Sequence, residues 1–298
     1  MLSIRARAFR ALIRRGTKSE RQLSIEQRRE RIDRLAAWTR PPRGTVALSL
    51  QAQGLRGEWV RLPQSRNDRV VLYLHGGAFC MGSSRSHRNL VAHICARSQA
   101  RALSLDYALA PEHPFPAALE DTLAAYRFLL SEGVTPSRIA FAGDSAGANL
   151  VLAALITLRN AAEPLPAAVV CLSPPTDFTG ASESLLSRAC LDPMVNLESV
   201  IPLCRAYVGN MPPDDPCLSP LFANLAGLPP LLIQVGSHEI LYDDSVRFAE
   251  KAREAGVDVR LEVGNQLWHV WHAAVPYVPE SANAIRRIGQ FIREHIPD

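Results

Sequence analysis

A serine in a sharp turn is the first residue whose setting points to chemistry. Gly143-Asp144-Ser145-Ala146-Gly147 fits G-x-S-x-G, follows a strand-like run that ends at Ala142 and precedes a helical stretch. At such a turn small residues must flank the serine, and the strained backbone lifts its hydroxyl clear of the sheet at a helix N-terminus. We therefore predict that Ser145 is a nucleophile; the alternative is a glycine-rich turn without chemistry.

A second glycine-containing segment, His75-Gly76-Gly77-Ala78-Phe79, follows the apolar run Val70 to Leu74. Glycines allow backbone N–H groups to approach a substrate closely. Those of Gly76 and Gly77, with that of Ala146, could converge on an oxygen that becomes negative in a tetrahedral intermediate. The alternative is a tight turn between a strand and a helix, and in either case we expect His75 to hold the loop.

A serine nucleophile needs a base and a carboxylate that orients the base, in the chain order Ser, acid, His. Residues 236–244 follow a strand and contain three competing acids, Glu239, Asp243 and Asp244. Glu239 lies nearest the strand end, whereas we expect the two aspartates to begin a helix, where acids favour the N-terminal dipole. The base would be His269 or His272; a metal site at this pair lacks a third ligand at a convincing spacing.

Strand-like and helical stretches alternate from Arg69 onward, which predicts an α/β fold with a mainly parallel sheet covered on both faces. The predicted strands are Val70–Leu74, Ala102–Leu105, Ile139–Ala142, Ala168–Leu172, Leu231–Val235 and Val259–Val263. The predicted helices are Ala117–Leu130, Ala146–Leu158, Ser245–Ala255 and Ala282–His295. Residues 45–62 predict two further short strands.

Two regions depart from this alternation. Residues 1–42 have helical spacing, with a second helix beginning after a capping box of Ser24 and Gln27. Residues 178–225 form a long, Pro-rich and partly helical insertion, and loops of that length in a compact domain usually act as lids.

Composition limits the class of protein. The chain has 298 residues, 47% of them hydrophobic and 21% charged, which excludes disorder, a fibrous repeat and a small disulfide scaffold. No run is long and apolar enough to span a bilayer, and the six cysteines are scattered without zinc-like spacing. We expect a soluble, cytoplasmic protein with no metal and no stable membrane association.

Positive charge is concentrated at the N-terminus. Residues 1–44 contain 13 Lys or Arg against 4 Asp or Glu, while the remaining residues contain 20 against 25. Such an arm could bind nucleic acid, anionic lipid or an import receptor, or be the solvated face of amphipathic helices. We favour the solvated face, expect no nucleic-acid partner, and leave open a homodimer.

Four separated motifs together resemble the hormone-sensitive-lipase-like (bacterial family IV) esterases of the α/β-hydrolase fold. They are HGGAF, DYALAPEHPFPA from Asp106 to Ala117, GDSAG, and the region from Ser219 to Asp244 with its LPP strand entry, followed by WHVWH. The resemblance implies a helical cap formed by residues 1–42 and 179–225 over an α/β-hydrolase core of residues 43–178 and 226–298. It also implies that no cofactor is needed.

Carried over position by position, the resemblance implies Ser145 as nucleophile, His269 as base and Glu239 as acid. The implied oxyanion donors are Gly76, Gly77 and Ala146, and the expected substrate contacts are Phe79, Cys80 and Asp144. The chain departs from the family where Ala78 replaces a third glycine, where Glu239 replaces a frequent Asp, and where Gly264-Asn265-Gln266 replaces a Pro-Gly pair.

The expected function is therefore hydrolysis of small carboxylic esters with short acyl chains, of about two to eight carbons, in a pocket closed by the cap. A lactone hydrolase or a small-molecule deacetylase would use the same residues. A non-catalytic ligand receptor and a membrane-surface lipase are the alternatives from other classes.

Overall fold

The computed structural model describes residues 2–18 and 23–298, so Met1 and residues 19–22 of the predicted first cap segment lie outside the described residues. Eight strands form one sheet in the order β1-β2-β4-β3-β5-β6-β7-β8. They are β1 Val46–Ala52, β2 Leu55–Arg61, β3 Arg66–Leu74, β4 Ala100–Leu105, β5 Ile139–Asp144, β6 Ala168–Leu172, β7 Leu231–Gly236 and β8 Val259–Gly264. The β1–β2 and β2–β4 pairs are antiparallel and the others are parallel.

Helices cover both faces of this sheet. They are α1 Ile4–Lys18, α2 Ile25–Ala36, α3 Ser84–Ser98, α4 Ala117–Ser131, α5 Ala146–Asn160, α6 Ser184–Ser187, α7 Leu197–Val208, α8 Tyr242–Glu254 and α9 Pro279–His295. Alternate residues of β3 enter two different cores: Leu72 belongs to the core that includes residues of α4, α5 and α8, whereas Val71 and Tyr73 belong to the core that includes residues of α3 and α9. This two-residue period is that of a strand buried on both sides. The predicted α/β-hydrolase fold is confirmed.

The turn into α5 depends on a close approach of backbone to backbone. A Cβ atom on Gly147 would collide with the carbonyl oxygen of Leu74 in β3. Glycine therefore lets the first turn of α5 lie directly against the neighbouring strand, which brings the start of this helix next to the loop that follows β3.

Two helices differ from the sequence-based expectation. Helix α3 was not among the predicted helices, because its N-terminal half is polar and its buried hydrophobic residues begin only at Leu90. Helix α8 begins at Tyr242 instead of Ser245, and its N-cap residue Leu241 makes no side-chain capping bond. Asp243 and Asp244 therefore lie inside the first turn of α8 and do not cap it. The capping box of Ser24 and Gln27 at α2 is confirmed.

The N-terminal helix contacts the insertion. Arg10 Nη2 donates to the carbonyl of Leu191 (3.0 Å), Arg14 Nη2 to that of Cys190 (2.7 Å) and Thr17 Oγ1 to that of Pro193 (3.0 Å). These bonds tie α1 to one short stretch of the insertion. Among the described residues, no helix has the length and apolar character needed to cross a membrane.

Candidate active site

Ser145 lies between the last residue of β5 and the first residue of α5, with φ 52° and ψ −123°. A non-glycine residue with positive φ is strained by about 1–3 kcal/mol. The strain is held by the surrounding structure, since the Ser145 N–H donates to the carbonyl of Leu172 (2.8 Å). The half-buried side chain lies beside a histidine: Ser145 Oγ is 2.9 Å from His269 Nε2.

A buried carboxylate lies on the other side of the His269 ring. Glu239 is fully buried, and its Oε1 is 3.3 Å from His269 Nδ1. Its Oε2 accepts from the N–H of Gly236 (2.7 Å). Ser145, His269 and Glu239 thus form a continuous chain of contacts, although Glu239 lies 94 positions after Ser145 and His269 lies 30 positions after Glu239.

Ser173, which follows β6, links the acid to the histidine loop and was not predicted. Its Oγ donates to Glu239 Oε2 (2.9 Å) and accepts from the N–H of Val270 (3.2 Å). The available sequence signal was only its place at the carboxyl end of a parallel strand, on the same sheet edge as Ser145. Ser173 therefore links Glu239 to Val270, the residue that follows His269.

The electrostatics of the pair favour a protonated histidine. Burial lowers the pKa of His269, but the hydrogen bond and the charge of Glu239, together with the charges of Asp192 and Asp144, outweigh it. The pKa of His269 is therefore raised above its ordinary value. A histidine whose pKa is raised in this way accepts a proton readily, and the neighbouring carboxylate stabilises the imidazolium that forms.

The oxyanion loop, residues 75–83, differs from the prediction at one donor. The N–H of Gly76 donates to Asp144 Oδ1 (3.1 Å), so it is already occupied inside the protein. The next two residues turn with positive φ, 130° at Gly77 and 51° at Ala78. In the chain as described, neither of their N–H groups has an acceptor, and Ala146 is the first residue of α5, where an N–H has no intrahelical partner.

Known proteins share this architecture. The family model described as the alpha/beta hydrolase fold matches residues 71–273. An acetyl-hydrolase of Streptomyces hygroscopicus is 40% identical over 280 residues, which cover 94% of this chain and 91% of that protein. The crystal structure of an esterase from the bacterial hormone-sensitive lipase family is 44% identical, covers 99% of both chains and has a TM-score of 0.95. The chain belongs to the hormone-sensitive lipase family of esterases. An esterase of Acinetobacter venetianus is a further relative, 38% identical over 84% of this chain and 83% of that protein.

Within this esterase, two of the three expected substrate contacts have other partners. Cys80 has no accessible surface, burial raises the pKa of its thiol to about 11, and its Sγ faces the carbonyl of Leu203 (3.5 Å). The carboxylate of Asp144 is also buried and receives the Tyr73 hydroxyl (2.6 Å) and the Gly76 N–H. Both residues therefore hold the oxyanion loop from within instead of facing a ligand.

Phe79, the third expected contact, is almost completely buried. Its ring stacks on that of Tyr207 from α7, with centroids 3.7 Å apart, and lies 6.0 Å from the ring of Phe178. The aromatic group joins the oxyanion loop to the insertion.

The other residues that the sequence offered as base or acid, His272, Asp243 and Asp244, lie outside the chain of contacts at Ser145. His272 is buried, its Nε2 is 2.8 Å from Gln234 Oε1, and burial lowers its pKa to about 3. Asp243 Oδ2 accepts from the N–H of Ser184 in the insertion (2.7 Å), and Asp244 Oδ2 accepts from that of Thr176 (2.7 Å). The part of the chain described here contains no group of three or more His, Cys, Asp and Glu side chains that could hold a metal ion.

Proposed function

We propose that this carboxylesterase forms an acyl-enzyme on Ser145, with His269 as general base and Glu239 as the orienting acid. The observation that carries the proposal is the distance of 2.9 Å between Ser145 Oγ and His269 Nε2, with Glu239 on the opposite ring nitrogen. A nucleophile and a base within hydrogen-bond reach, the base itself oriented by a third group, are the geometry of serine catalysis.

In the first half of the reaction, Ser145 Oγ attacks the ester carbonyl carbon while His269 Nε2 takes the hydroxyl proton. The carbonyl oxygen becomes negative and receives the N–H groups of Gly77, Ala78 and Ala146. Collapse of this intermediate breaks the bond to the alcohol oxygen, and His269 returns its proton to that oxygen. Ala78 takes the place that the sequence assigned to Gly76, because the Gly76 N–H is bound to Asp144.

In the second half, water attacks the acyl carbon and gives a proton to His269. Collapse of this second intermediate breaks the bond between the acyl carbon and Ser145 Oγ, and His269 returns the proton to Ser145 Oγ. The Glu239 carboxylate stabilises the imidazolium formed in each half. Every proton transfer of the reaction passes through His269.

We infer that residues 1–42 and 179–225 act as a cap that limits the acyl chain to about two to eight carbons. The packing of α7 Tyr207 on Phe79 supports this, since it brings the insertion directly against the oxyanion loop. The acetyl-hydrolase among the relatives favours the deacetylase alternative for a natural substrate with a short acyl group. Six free cysteines, three of them buried, support a reducing compartment such as the cytoplasm.

The catalytic assignment is tested with a fluorophosphonate probe and a series of p-nitrophenyl esters. We expect the probe to label the wild type and to spare Ser145→Ala, and both Ser145→Ala and His269→Ala to lose about a million-fold in kcat. Labelling of Ser145→Ala at the wild-type rate would contradict the assignment. Among the esters, the butyrate should be hydrolysed faster than the palmitate at equal solubility; the opposite order would contradict the size limit.

A further inference from the structure

His87, in the first turns of α3, lies beneath the oxyanion loop and has no part in the reaction described above. Its Nε2 is 3.4 Å from Asp144 Oδ2, and its side chain is 17% exposed against 4% for the aspartate. Its ring lies 5.5 Å from that of His75, the residue that opens the loop. A histidine and a carboxylate therefore form a largely buried pair directly behind Ser145.

The contacts of the ring suit a proton on both nitrogens. Nε2 faces a carboxylate oxygen, which can only accept. Nδ1 is 2.9 Å from Ser86 Oγ and 3.3 Å from the carbonyl of Ser83. Ser86 Oγ already receives the Ser83 N–H (2.8 Å) and donates its own proton to the Ser83 carbonyl (2.8 Å), so a lone pair remains for Nδ1–H. With the Ser86 proton placed in this way, both ring nitrogens donate and His87 is an imidazolium.

The carboxylate that this cation faces joins two parts of the site. Asp144 immediately precedes Ser145, and its Oδ1 receives both the Tyr73 hydroxyl and the N–H of Gly76. A buried carboxylate is stable only when it is paired and hydrogen-bonded. Within residues 2–18 and 23–298, His87 is the one cationic side chain at ion-pair distance from Asp144.

We propose that His87 is a positioning residue for the oxyanion loop. Its imidazolium holds the ionised Asp144 carboxylate against the Gly76 N–H, and this orientation of the Gly76 peptide directs the N–H groups of Gly77 and Ala78 to the substrate oxygen. The inference rests on the proposed function of Ser145 and of these two donors.

The neighbouring titratable groups are consistent with one charge on each partner. Burial alone would raise the pKa of Asp144. The charge and hydrogen bond of His87 and the hydrogen bond from the Tyr73 hydroxyl outweigh the effect of burial, and the pKa of Asp144 is lowered to about 2. Burial alone would lower the pKa of His87, but the charge of Asp144 outweighs burial, and the pKa of His87 is raised above its ordinary value. His75 is neutral, because burial and the charge of His87 lower its pKa to about 3. Asp33 of α2 reaches this group only through the Ser83 hydroxyl (3.1 Å).

The first test compares His87→Gln with His93→Gln, a matched change on the same helix away from the site. In His87→Gln we expect kcat for p-nitrophenyl butyrate to fall about tenfold to a hundredfold with little change in KM, which is less than the loss of a whole oxyanion donor. The inhibition constant of butylboronic acid, which forms a tetrahedral adduct with an active-site serine, should rise by the factor by which kcat/KM falls. We expect both values to stay near wild type in His93→Gln.

Wild-type kcat in folded His87→Gln, or a fall in kcat/KM with unchanged boronate inhibition, would overturn the role of His87. Ser145→Ala is measured in parallel, because full activity in that variant would overturn the proposed catalytic residues themselves.

The second test needs no variant and so remains decisive if His87→Gln does not fold. In 15N-labelled wild-type protein at neutral pH, we expect the His87 ring to show two protonated nitrogens and the His75 ring to show one. A His87 ring with a single protonated nitrogen at pH 7 would overturn the proposal.

Discussion

The two loops proposed to act with Ser145 supply different kinds of group. The oxyanion loop offers backbone N–H groups, and therefore depends on unusual backbone conformations, with positive φ at Gly77, Ala78 and Phe79. The acid loop, residues 236–244, offers a single side chain, Glu239, whose two oxygens are occupied by His269, Ser173 and the Gly236 N–H. Any change of the Glu239 side chain can remove the acid directly, whereas an oxyanion N–H is lost only if the backbone moves or if proline, which has no N–H, is introduced.

The loops also differ in their contacts with segments outside the core: helix α2 bonds to the oxyanion loop, whereas the insertion contacts both loops. Helix α2 holds the oxyanion loop, since Arg29 Nε donates to the carbonyl of Cys80 (2.7 Å) and Asp33 accepts from Ser83. The insertion holds the acid loop, since Asp192 Oδ2 accepts from the N–H of Ile240 (3.2 Å) and Arg188 donates to the carbonyl of Ser237. The comparison indicates that the oxyanion loop has hydrogen-bond partners in α2 that the acid loop lacks among the contacts described above.

The largest effect should come from removing the charge in the acid loop. Glu239→Gln keeps the size of the side chain but removes its negative charge. The variant therefore lacks the anion that orients His269 and stabilises its protonated form. We expect kcat to fall by about a thousandfold or more while the fold is retained. The measurement is steady-state turnover with circular dichroism as the check on folding.

Asp243→Asn is the matched control, because Asp243 contacts Ser184 and not the histidine. It should retain most of the turnover and lose stability, on the order of 1–3 kcal/mol, as a buried N–H loses a charged acceptor. Near-normal turnover in Glu239→Gln with collapse in Asp243→Asn would move the acid role to Asp243.

A change in the oxyanion loop should come next. Gly77 has a φ of 130°, and a Cβ there would collide with the carbonyl oxygen of Met81. The loop must shift to admit Gly77→Ala, so we expect kcat to fall about a hundredfold to a thousandfold, the cost of one displaced donor. KM and kcat for p-nitrophenyl butyrate provide the measurement.

Gly180→Ala separates strain from collision, since Gly180 also has a positive φ, 81°, but its Cβ would meet nothing within 4 Å. It should lose about 1–2 kcal/mol of stability and no activity. Equal activity in the two variants would show that the conformation at Gly77 does not control the reaction.

The insertion should confer a pH dependence on stability through Asp192. Burial raises the pKa of this carboxyl to about 6, although the charge of His269 opposes the shift. Because the folded pKa lies above the unfolded one, the folded state favours the protonated acid, and the wild type loses stability as pH rises from about 4 to about 6. The change amounts to at most about 3 kcal/mol.

The side chain at position 192 of the Asp192→Asn variant cannot ionise. The free energy of unfolding of the variant, minus that of the wild type, should therefore increase across this pH range and stay constant at higher pH. Urea titrations at several pH values provide the measurement, with the exposed Asp258→Asn as control. A constant difference between Asp192→Asn and the wild type from pH 4 to 7 would contradict the prediction.

The smallest effect should come from the contact of α2 with the oxyanion loop. Besides its bond to Cys80, Arg29 donates to the carbonyl of Ala110 (3.0 Å) and pairs with Glu112 (2.8 Å). Arg29→Met should cost about 1.5–3 kcal/mol of stability, the range for hydrogen bonds to a charged group. Arg127→Met breaks the comparable ion pair with Glu163 at the surface and should cost about 0–1 kcal/mol. Equal costs in chemical denaturation would show that α2 contributes no more than a surface pair.

Much of the fold could be predicted because it depends on local patterns. The apolar runs of the parallel strands differ from the observed strands mainly at their ends, and the turn at Ser145 follows from small residues between a strand and a helix. The order of nucleophile, acid and histidine is likewise readable along the chain. Helix α3 could not be predicted in the same way, because its buried residues cluster in its second half and its first turns are polar.

The sequence by itself determined which residues could carry charge, protons or a nucleophilic oxygen, and on which sheet edge they would lie. Only the tertiary structure decided their partners: Gly76 to Asp144, Asp243 to Ser184, and His272 to Gln234. A hydrogen bond acts over about 3 Å, and these partners are separated by 38 to 68 positions. The distances between these partners depend on the order of the strands in the sheet and on the packing of the helices. A shift of one or two ångströms therefore decides whether an N–H faces the substrate or bonds to the protein.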